Sequence, residues 1–325
     1  MWRFQTVVTV LVLCALGPAP AAERAVAGYP SKPIRLIIPF PPGGGNDTMA
    51  RAIGGKLSEA WGQQVVYDNR PGANGLLACE ITAKAAPDGY TLLMANVGSH
   101  AINPALYKKI PYDPIRDFAP VSLLGTTANV LVTPPSIPAR NLAELITLAK
   151  AKPGQLTYGS NGSGSSQHLA GVMFSTAFGV KLVHVPYKGT GPMVTDLLGG
   201  QITLSFGNMV AVLPHIKSKR LNPIAVTSLK RAAVLPDIPA VAETLPGFEA
   251  TSWWSVVSTR GTPPEIVAAL NREIRKGLSA ENLQDFFSRS GVEPRGTTPE
   301  ELAAFIRSEL VKWGKVVKDS GAQVD

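Results

Sequence analysis

The chain has 325 residues, 45% of them hydrophobic, which is enough for two domains with separate cores. Its net charge of +8 is scattered, with no block of five like charges, so a nucleic-acid stripe is not expected and a small anionic ligand fits better. The two cysteines, Cys14 and Cys79, and the four histidines, His100, His168, His184 and His215, show no metal-ligand spacing, and Cys79 reads as a lone buried thiol.

Arg3, the apolar run at 6–16 and Ala19-Pro20-Ala21 read as a secretory signal over residues 1–21. The run is shorter than the roughly 20 residues of a membrane span. Leu13 before Cys14 is not the small residue that a lipid-anchor signal needs. An exported, soluble mature protein is expected.

Residues 34–57 (IRLIIPFPPGGGNDTMARAIGGKL) read as a buried strand, a turn of prolines and glycines, and a helix opened by Asn46 and Asp47. Glycines let a ligand approach the backbone, and a helix start is positive, so this unit favours an anion. Nucleotide motifs fail on spacing. Lys56 is followed by Leu57, with Ala50 six residues before it, and Thr48 stands where G-x-G-x-x-G needs its last glycine. A short strand at 64–67, a breaker cluster at 69–75, a helix at 76–85 and a buried strand at 90–95 follow. This is the alternation of an α/β domain with a mainly parallel sheet. Ligands of such sheets sit beyond the carboxyl ends of the strands, where 39–47 and 96–100 both fall.

Two further apolar runs, 118–125 and 129–132, come next, the first leading out of domain one. Asn141 and Glu144 form a capping box. A strand at 156–158 meets the tract GSNGSGSS at 159–166, and a helix follows directly. The strand at 182–186, the turn at 187–191 and Pro192 at a helix start repeat that unit. Strands at 202–206 and 223–227 complete this region, and 251–258 (TSWWSVVS) is expected to return the chain to domain one. Thr262-Pro263-Pro264-Glu265 and Thr298-Pro299-Glu300-Glu301 both read as capping boxes, making the last ~60 residues helical packing.

Ser160, Ser163, Ser165 and Ser166 near His168 raise the alternative of a secreted serine hydrolase. No G-x-S-x-G elbow is present, however, and serine at a helix start is usually a cap. Hydroxyls on a glycine turn also donate to carboxylate oxygens without a base. Lys188 beside Tyr187 would complement an anion.

Read together, PFPPGGGNDTMAR, NRPGANG, APDGYTLL, YGSNGSGSSQHLAG, VPYKGTGP, LLGGQI and PGFEATSWW resemble the Bug proteins, periplasmic receptors of tripartite tricarboxylate transporters. The resemblance implies a type II-like periplasmic-binding-protein fold: two α/β domains, 26–125 with 250–325 and 126–249, closing on a small carboxylate. It implies no cofactor and no catalysis, a monomer in the periplasm, and membrane transporter subunits as partners. A ligand sensor for a signalling partner shares this fold. Carried over by motif, the first-domain contacts are Pro42, Gly43, Gly44, Gly45, Asn46 and Asp47, with Asn96, Ser99 and His100 on a neighbouring strand. The second domain supplies Ser160, Ser163, Gly164, Ser165, Ser166 and His168, then Tyr187, Lys188, Gly189 and Thr190, and Asn208. Two departures stand out. Gly207 replaces the aspartate common in the family's Phe-Asp-Asn, and Val172 replaces a glutamate common after His-Leu-Ala-Gly, so no ammonium-bearing ligand is assigned.

Overall fold

The apolar run IRLII forms β1 (Ile34–Ile38), whose inward residues are fully covered. Parallel neighbours flank it: β2 (Val65–Asn69) on one side and β3 (Thr91–Asn96) on the other. These coordinates are a computed structural model that describes residues 28–322, so the expected signal at 1–21 lies outside the described residues. Helix α1 (Gly45–Trp61) returns from β1 to β2, and α2 (Leu76–Ala83) from β2 to β3. Beyond β3 the chain makes a π-type turn, Gly98–Ile102, and the short α3 (Asn103–Leu106). Single π turns recur where a backbone is shaped for function.

The two apolar runs expected at 118–125 and 129–132 are one strand, β4 (Phe118–Thr133). The intervening Thr126, Thr127 and Ala128 break the apolar pattern but stay in register with Trp253, Ser252 and Thr251 of β9 (Thr251–Thr259). The ladder therefore carries on through them. A 16-residue strand reaches roughly 50 Å, long enough to serve two sheets. The first half of β4 pairs with β9, which pairs onward with β3. Its second half pairs antiparallel with β7 (Leu204–Asn208) and β8 (Asn222–Val226). Parallel β5 (Leu156–Ser160) and β6 (Leu182–Pro186) extend that second sheet. The strand order is β2-β1-β3-β9-β4-β7-β5-β6, with β4 shared.

Helices α4 (Leu142–Ala151), α5 (Ser166–Phe178), α6 (Thr190–Leu198) and α7 (Met209–Lys217) belong to the second sheet. Helix α8 (Pro264–Leu278) packs on α1, burying Ile266, Leu270 and Ile274 against Met49, Ile53 and Leu57. After α9 (Glu281–Ser290), the short β10 (Val292–Pro294) adds to β4 within a stretch expected to be all helix. Helix α10 (Pro299–Ser320) closes the chain, opened by the reciprocal Thr298–Glu301 box. Thr262 does not cap α8. Its hydroxyl donates to the Thr259 carbonyl at 2.7 Å, and Pro263, which holds the cap position, has no N–H to donate in the reciprocal bond.

Where β4 and β9 pass between the sheets, a buried polar network replaces apolar packing. Asn129 donates to the Ala250 carbonyl at 2.8 Å and to Ser166 Oγ at 3.2 Å, while Ser252 Oγ donates back to Asn129 Oδ1 at 3.2 Å. Ser166 and Ser252 share a 2.7 Å hydrogen bond. The start of α5 is thereby fixed to both crossing strands. Among the described residues no helix is long and apolar enough to cross a membrane.

Candidate functional site

Four helices begin at one cleft between the sheets: α1 at Gly45, α5 at Ser166, α6 at Thr190 and α7 at Met209. Each first turn carries amides without intrahelical partners and the positive end of a macrodipole. The cleft holds a cavity of about 30 Å³ lined by Gly45 and Asn46 of α1, Ser165, Ser166 and Gln167 of α5, Thr190 and Asn208. Phe40, Asn74, Asn96, Val97, Gly98, Asn161, Ser252, Trp253 and Trp254 complete the wall. No residue in that wall carries a charge. Among the described residues, Asn208 Nδ2, Gln167 Nε2, Thr190 Oγ1 and the Trp254 indole N–H have no protein acceptor.

The surrounding residues fix this lining. Asn96 Nδ2 donates to Asn46 Oδ1 at 3.0 Å, and Asn96 Oδ1 accepts from the Ser99 amide at 3.1 Å, so the end of β3 is clamped to the start of α1. Asp47 is 4% exposed and turned into the glycine turn. It accepts from the Gly43 amide at 3.1 Å, Arg51 at 2.9 Å and Asn69 at 3.2 Å. Burial works against its charge, but these donors outweigh burial and hold its carboxyl below the usual carboxylate range. Ser165 caps α5 by accepting from the His168 amide at 3.2 Å, and its hydroxyl donates to the Gly162 carbonyl at 2.7 Å. Gln167 Oε1 accepts from the Asn161 amide at 2.8 Å. At Gly164, φ is +84° and a Cβ would lie 2.9 Å from both Asn74 Nδ2 and Leu106 Cδ2, so glycine alone permits this approach across the cleft.

Of the candidate residues, Gly45, Asn46, Asn96, Ser165, Ser166, Thr190 and Asn208 line the inner cavity. Ser163, Tyr187 and Lys188 line a larger chamber of about 550 Å³ outside it. Pro42, Gly43 and Gly44 form the turn leading into α1, and Gly189 is the residue before α6. Ser99 and His100 are fully buried beneath the wall; His100 Nδ1 meets Ser99 Oγ at 3.0 Å, and its ring packs on Phe118 and Tyr112. His168 Nδ1 accepts from the Gly164 amide at 3.2 Å, and its ring stacks on His184 with centroids 4.1 Å apart. Ser160 lies 2.7 Å from His184 Nε2 but is fully buried, out of a substrate's reach. Phe40, Asn74, Gln167, Ser252 and Trp254 are wall residues that sequence reasoning did not name. Asn74 and Trp254 sit inside the motifs NRPGANG and PGFEATSWW, which were the available signal.

Burial keeps three imidazoles neutral. It pushes His100 down to about 3, His168 to about 4 and His184 to about 3, the last helped by its neighbour His168. Below the ordinary value of 6.5 the unfolded chain takes up these protons and the folded one does not. Stability is therefore complete above pH 6.5 and falls as pH drops toward 4, by up to about 1.4 kcal/mol per pH unit for each imidazole. Melting curves between pH 7.5 and 4.5 are expected to show this fall, and a His168→Gln/His184→Gln pair to flatten it. A melting temperature independent of pH over that range would refute it.

A cleft between two α/β sheets joined by two crossing strands, with helix starts aimed into it, is the architecture of a solute-binding protein. The chain belongs to the tripartite tricarboxylate transporter family receptors, whose family model matches residues 49–322. It is 38% identical over 326 residues to protein BugT of Bordetella pertussis, covering 100% of this chain and 99% of that one. Among solved structures it is similar to R. palustris Rpa4515 with adipate (TM-score 0.89, 38% identity, 91% of this chain and 100% of that one). It is also similar to MatC from Rhodopseudomonas palustris with bound malate (TM-score 0.84, 30% identity, 89% and 100% covered).

Proposed function

We propose that this protein is a periplasmic receptor that captures a small carboxylate between two lobes and releases it unchanged to a transporter in the membrane. The lobes are residues 26–125 with 250–325 and residues 126–249, hinged on β4 and β9, and residues 1–21 are removed on export. The observation that carries the reading is the convergence of four helix starts on a cavity with hydrogen-bond donors to spare and no charged side chain. Each terminus contributes about 0.3–1 kcal/mol toward an anion, and up to ~2 when partly buried. Several together hold a carboxylate without an arginine clamp. The turns around the cavity, already fixed through Asp47, Ser165 and Gln167, need no reordering on binding, which keeps the entropic cost low.

The inner cavity has room for one carboxylate group and not for a whole organic acid. Gly45 and Asn46 lie on one side, Ser165, Ser166, Thr190 and Asn208 on the other, so the ligand bridges the lobes and selects the closed state. Similarity to neighbours holding adipate and malate supports a carboxylate. Catalysis has no support in the wall: it carries neither a histidine nor a carboxylate. A thermal-shift screen of carboxylates, neutral sugars and amines tests the reading. A carboxylate at 100 times its Kd adds about 2.7 kcal/mol and raises the melting temperature by several degrees. Shifts produced by sugars or amines alone would overturn it.

A further inference from the structure

A second cavity lies behind the crossing strands, about 630 Å³ in volume and sharing no lining residue with the inner one. That volume is in the usual range for an organic ligand. Three parts of the fold enclose it. The loop at 228–234 after β8 forms one wall. Residues 288–295 around β10, with Phe305, Glu309 and Lys312 of α10, form the other. Thr126, Thr127 and Ala128 of β4 and Thr251 of β9 lie between them. Trp253 separates the two cavities. It lines the inner one, while its indole donates to Glu309 and its ring meets Phe305 edge-on, with centroids 5.4 Å apart. Both of those partners line the rear cavity.

The rear lining combines apolar surface with one unmatched charge. Ala128, Leu229, Val234, Val292 and Phe305 supply the apolar part, and Leu229 is 52% exposed. Lys312 meets Glu249 at 2.5 Å and Glu309 at 3.8 Å. Arg231 bonds both oxygens of Glu243 at 2.8 Å, which fixes the loop. Arg295 pairs with Glu293 at 3.0 Å, but both side chains are exposed, and such pairs hold little energy, so Arg295 can turn to an incoming anion. Lys230 has no ion-pair partner among the described residues, and the hydroxyls of Thr251 and Ser288 make no hydrogen bond there.

We propose that the rear cavity is a second ligand site, for an organic anion with one negative charge and an apolar body, and that filling it holds the receptor closed. The negative group meets Lys230 and Arg295, and the body covers Phe305 and the small residues of β4 and the loop. A short diacid has no such body and is not expected there. The coupling, though not the site, rests on the hinged-lobe reading above. The inner cavity is small and the lobes touch in front of it, where a Cβ on Gly189 would lie 3.1 Å from Pro41 Cδ. The rear cavity is open in this same closed conformation. Because β4 and β9 run between front and rear, parting the lobes in front carries the 228–234 loop toward β10 and α10. An occupant of the rear resists that movement and so favours the state that holds the carboxylate.

The probe is 8-anilinonaphthalene-1-sulfonate, which has one sulfonate, an aromatic body and no carboxylate, and which brightens in apolar surroundings. Fluorescence titration of the native protein is expected to saturate at one dye per chain. Lys230→Met is expected to weaken the dye about tenfold, the scale of one charge-assisted contact. Ala233→Trp, which fills the cavity, is expected to abolish binding. Both positions are exposed, and a melting curve of each variant checks that the fold is intact. Adipate, malate and succinate are then added in turn, the binding of each read separately by calorimetry. A diacid that binds is expected to tighten the dye at least about fivefold, and the dye to tighten that diacid by the same factor. No saturable dye binding, or binding that either variant leaves unchanged, overturns the site. So does displacement of the dye by a diacid, which would place it in the inner cleft. Dye and diacid that bind independently overturn the coupling. If no diacid binds, the inner-site reading falls and the coupling with it, while the two variants still decide the site.

Discussion

Gly45→Ala is expected to weaken carboxylate binding at least about tenfold, while Gly44→Ala, one residue earlier, leaves it nearly intact. A Cβ on Gly45 would sit 2.7 Å from Trp254 Cζ2 and 3.3 Å from Asn208 Oδ1. Trp254 is 2% exposed and packed with Met49, Leu92 and Val256, so its ring has no room to retreat. Overpacking of this kind costs about 1–3 kcal/mol. It falls where α1, β9 and α7 meet, the contact that brings Gly45 of one sheet against Asn208 of the other. On Gly44 the same methyl would find only Thr190, at 3.6 Å, an ordinary contact. Its φ of −92° is open to any residue. Calorimetry and melting curves on both variants measure the contrast. Equal affinities for the two would mean that close approach at Gly45 plays no part in binding.

The second large effect lies behind the cleft. Glu309 on α10 is 7% exposed and accepts hydrogen bonds from two indoles, Trp253 Nε1 at 2.8 Å and Trp313 Nε1 at 2.9 Å. Trp253 belongs to β9, so this carboxylate fastens α10 to a crossing strand. Glu309→Ala strands two buried N–H donors and opens a cavity beside them. Each unsatisfied donor costs about 1–3 kcal/mol, giving a loss of roughly 3–5 kcal/mol. At about 2 °C per kcal/mol for a chain of this size, the melting temperature falls by roughly 6–10 °C. Lys312 keeps Glu249 as a partner and adds no further penalty. Both indoles donate to the same oxygen, Oε2, so Glu309→Gln, whose amide oxygen can take that place, keeps an acceptor for both and is expected to lose much less. If the alanine variant melts within 1–2 °C of the native protein, the account of this anchor is wrong.

The strand–turn–helix units were the legible part of this sequence, because each is written locally. The run IRLII, the breakers after it and Asn-Asp at the helix start give β1 and α1 almost to the residue, and Asn141 caps α4 by accepting from the Glu144 amide at 2.9 Å, although the Glu144 carboxylate reaches back to the Arg140 amide and not to that of Asn141. The continuity of β4 was not legible. Thr126-Thr127-Ala128 is a polar gap in the sequence, and only the pairing with Thr251–Trp253 shows that it lies within a ladder. β10 escaped notice for a related reason: three residues ending in proline carry no periodicity of their own. In the site, residues at helix starts were readable from their turns. Asn74 and Trp254 were not, since a left-handed asparagine at φ +52° and a tryptophan on a returning strand reach the cavity only through tertiary packing. Asp47 shows the converse. The family motif implies a ligand contact there, but in the fold its oxygens go to Gly43, Arg51 and Asn69.

The central claim is reversible capture of a carboxylate with no bond chemistry. Isothermal titration of the full chain with a series of mono- and dicarboxylates tests it most directly, the bound ligand being released by acid and identified afterwards. The account predicts saturable binding to one site per chain, with the carboxylate recovered unchanged. Heat that continues as turnover, a recovered product, or saturation by a neutral sugar or an amine with every carboxylate silent would contradict it.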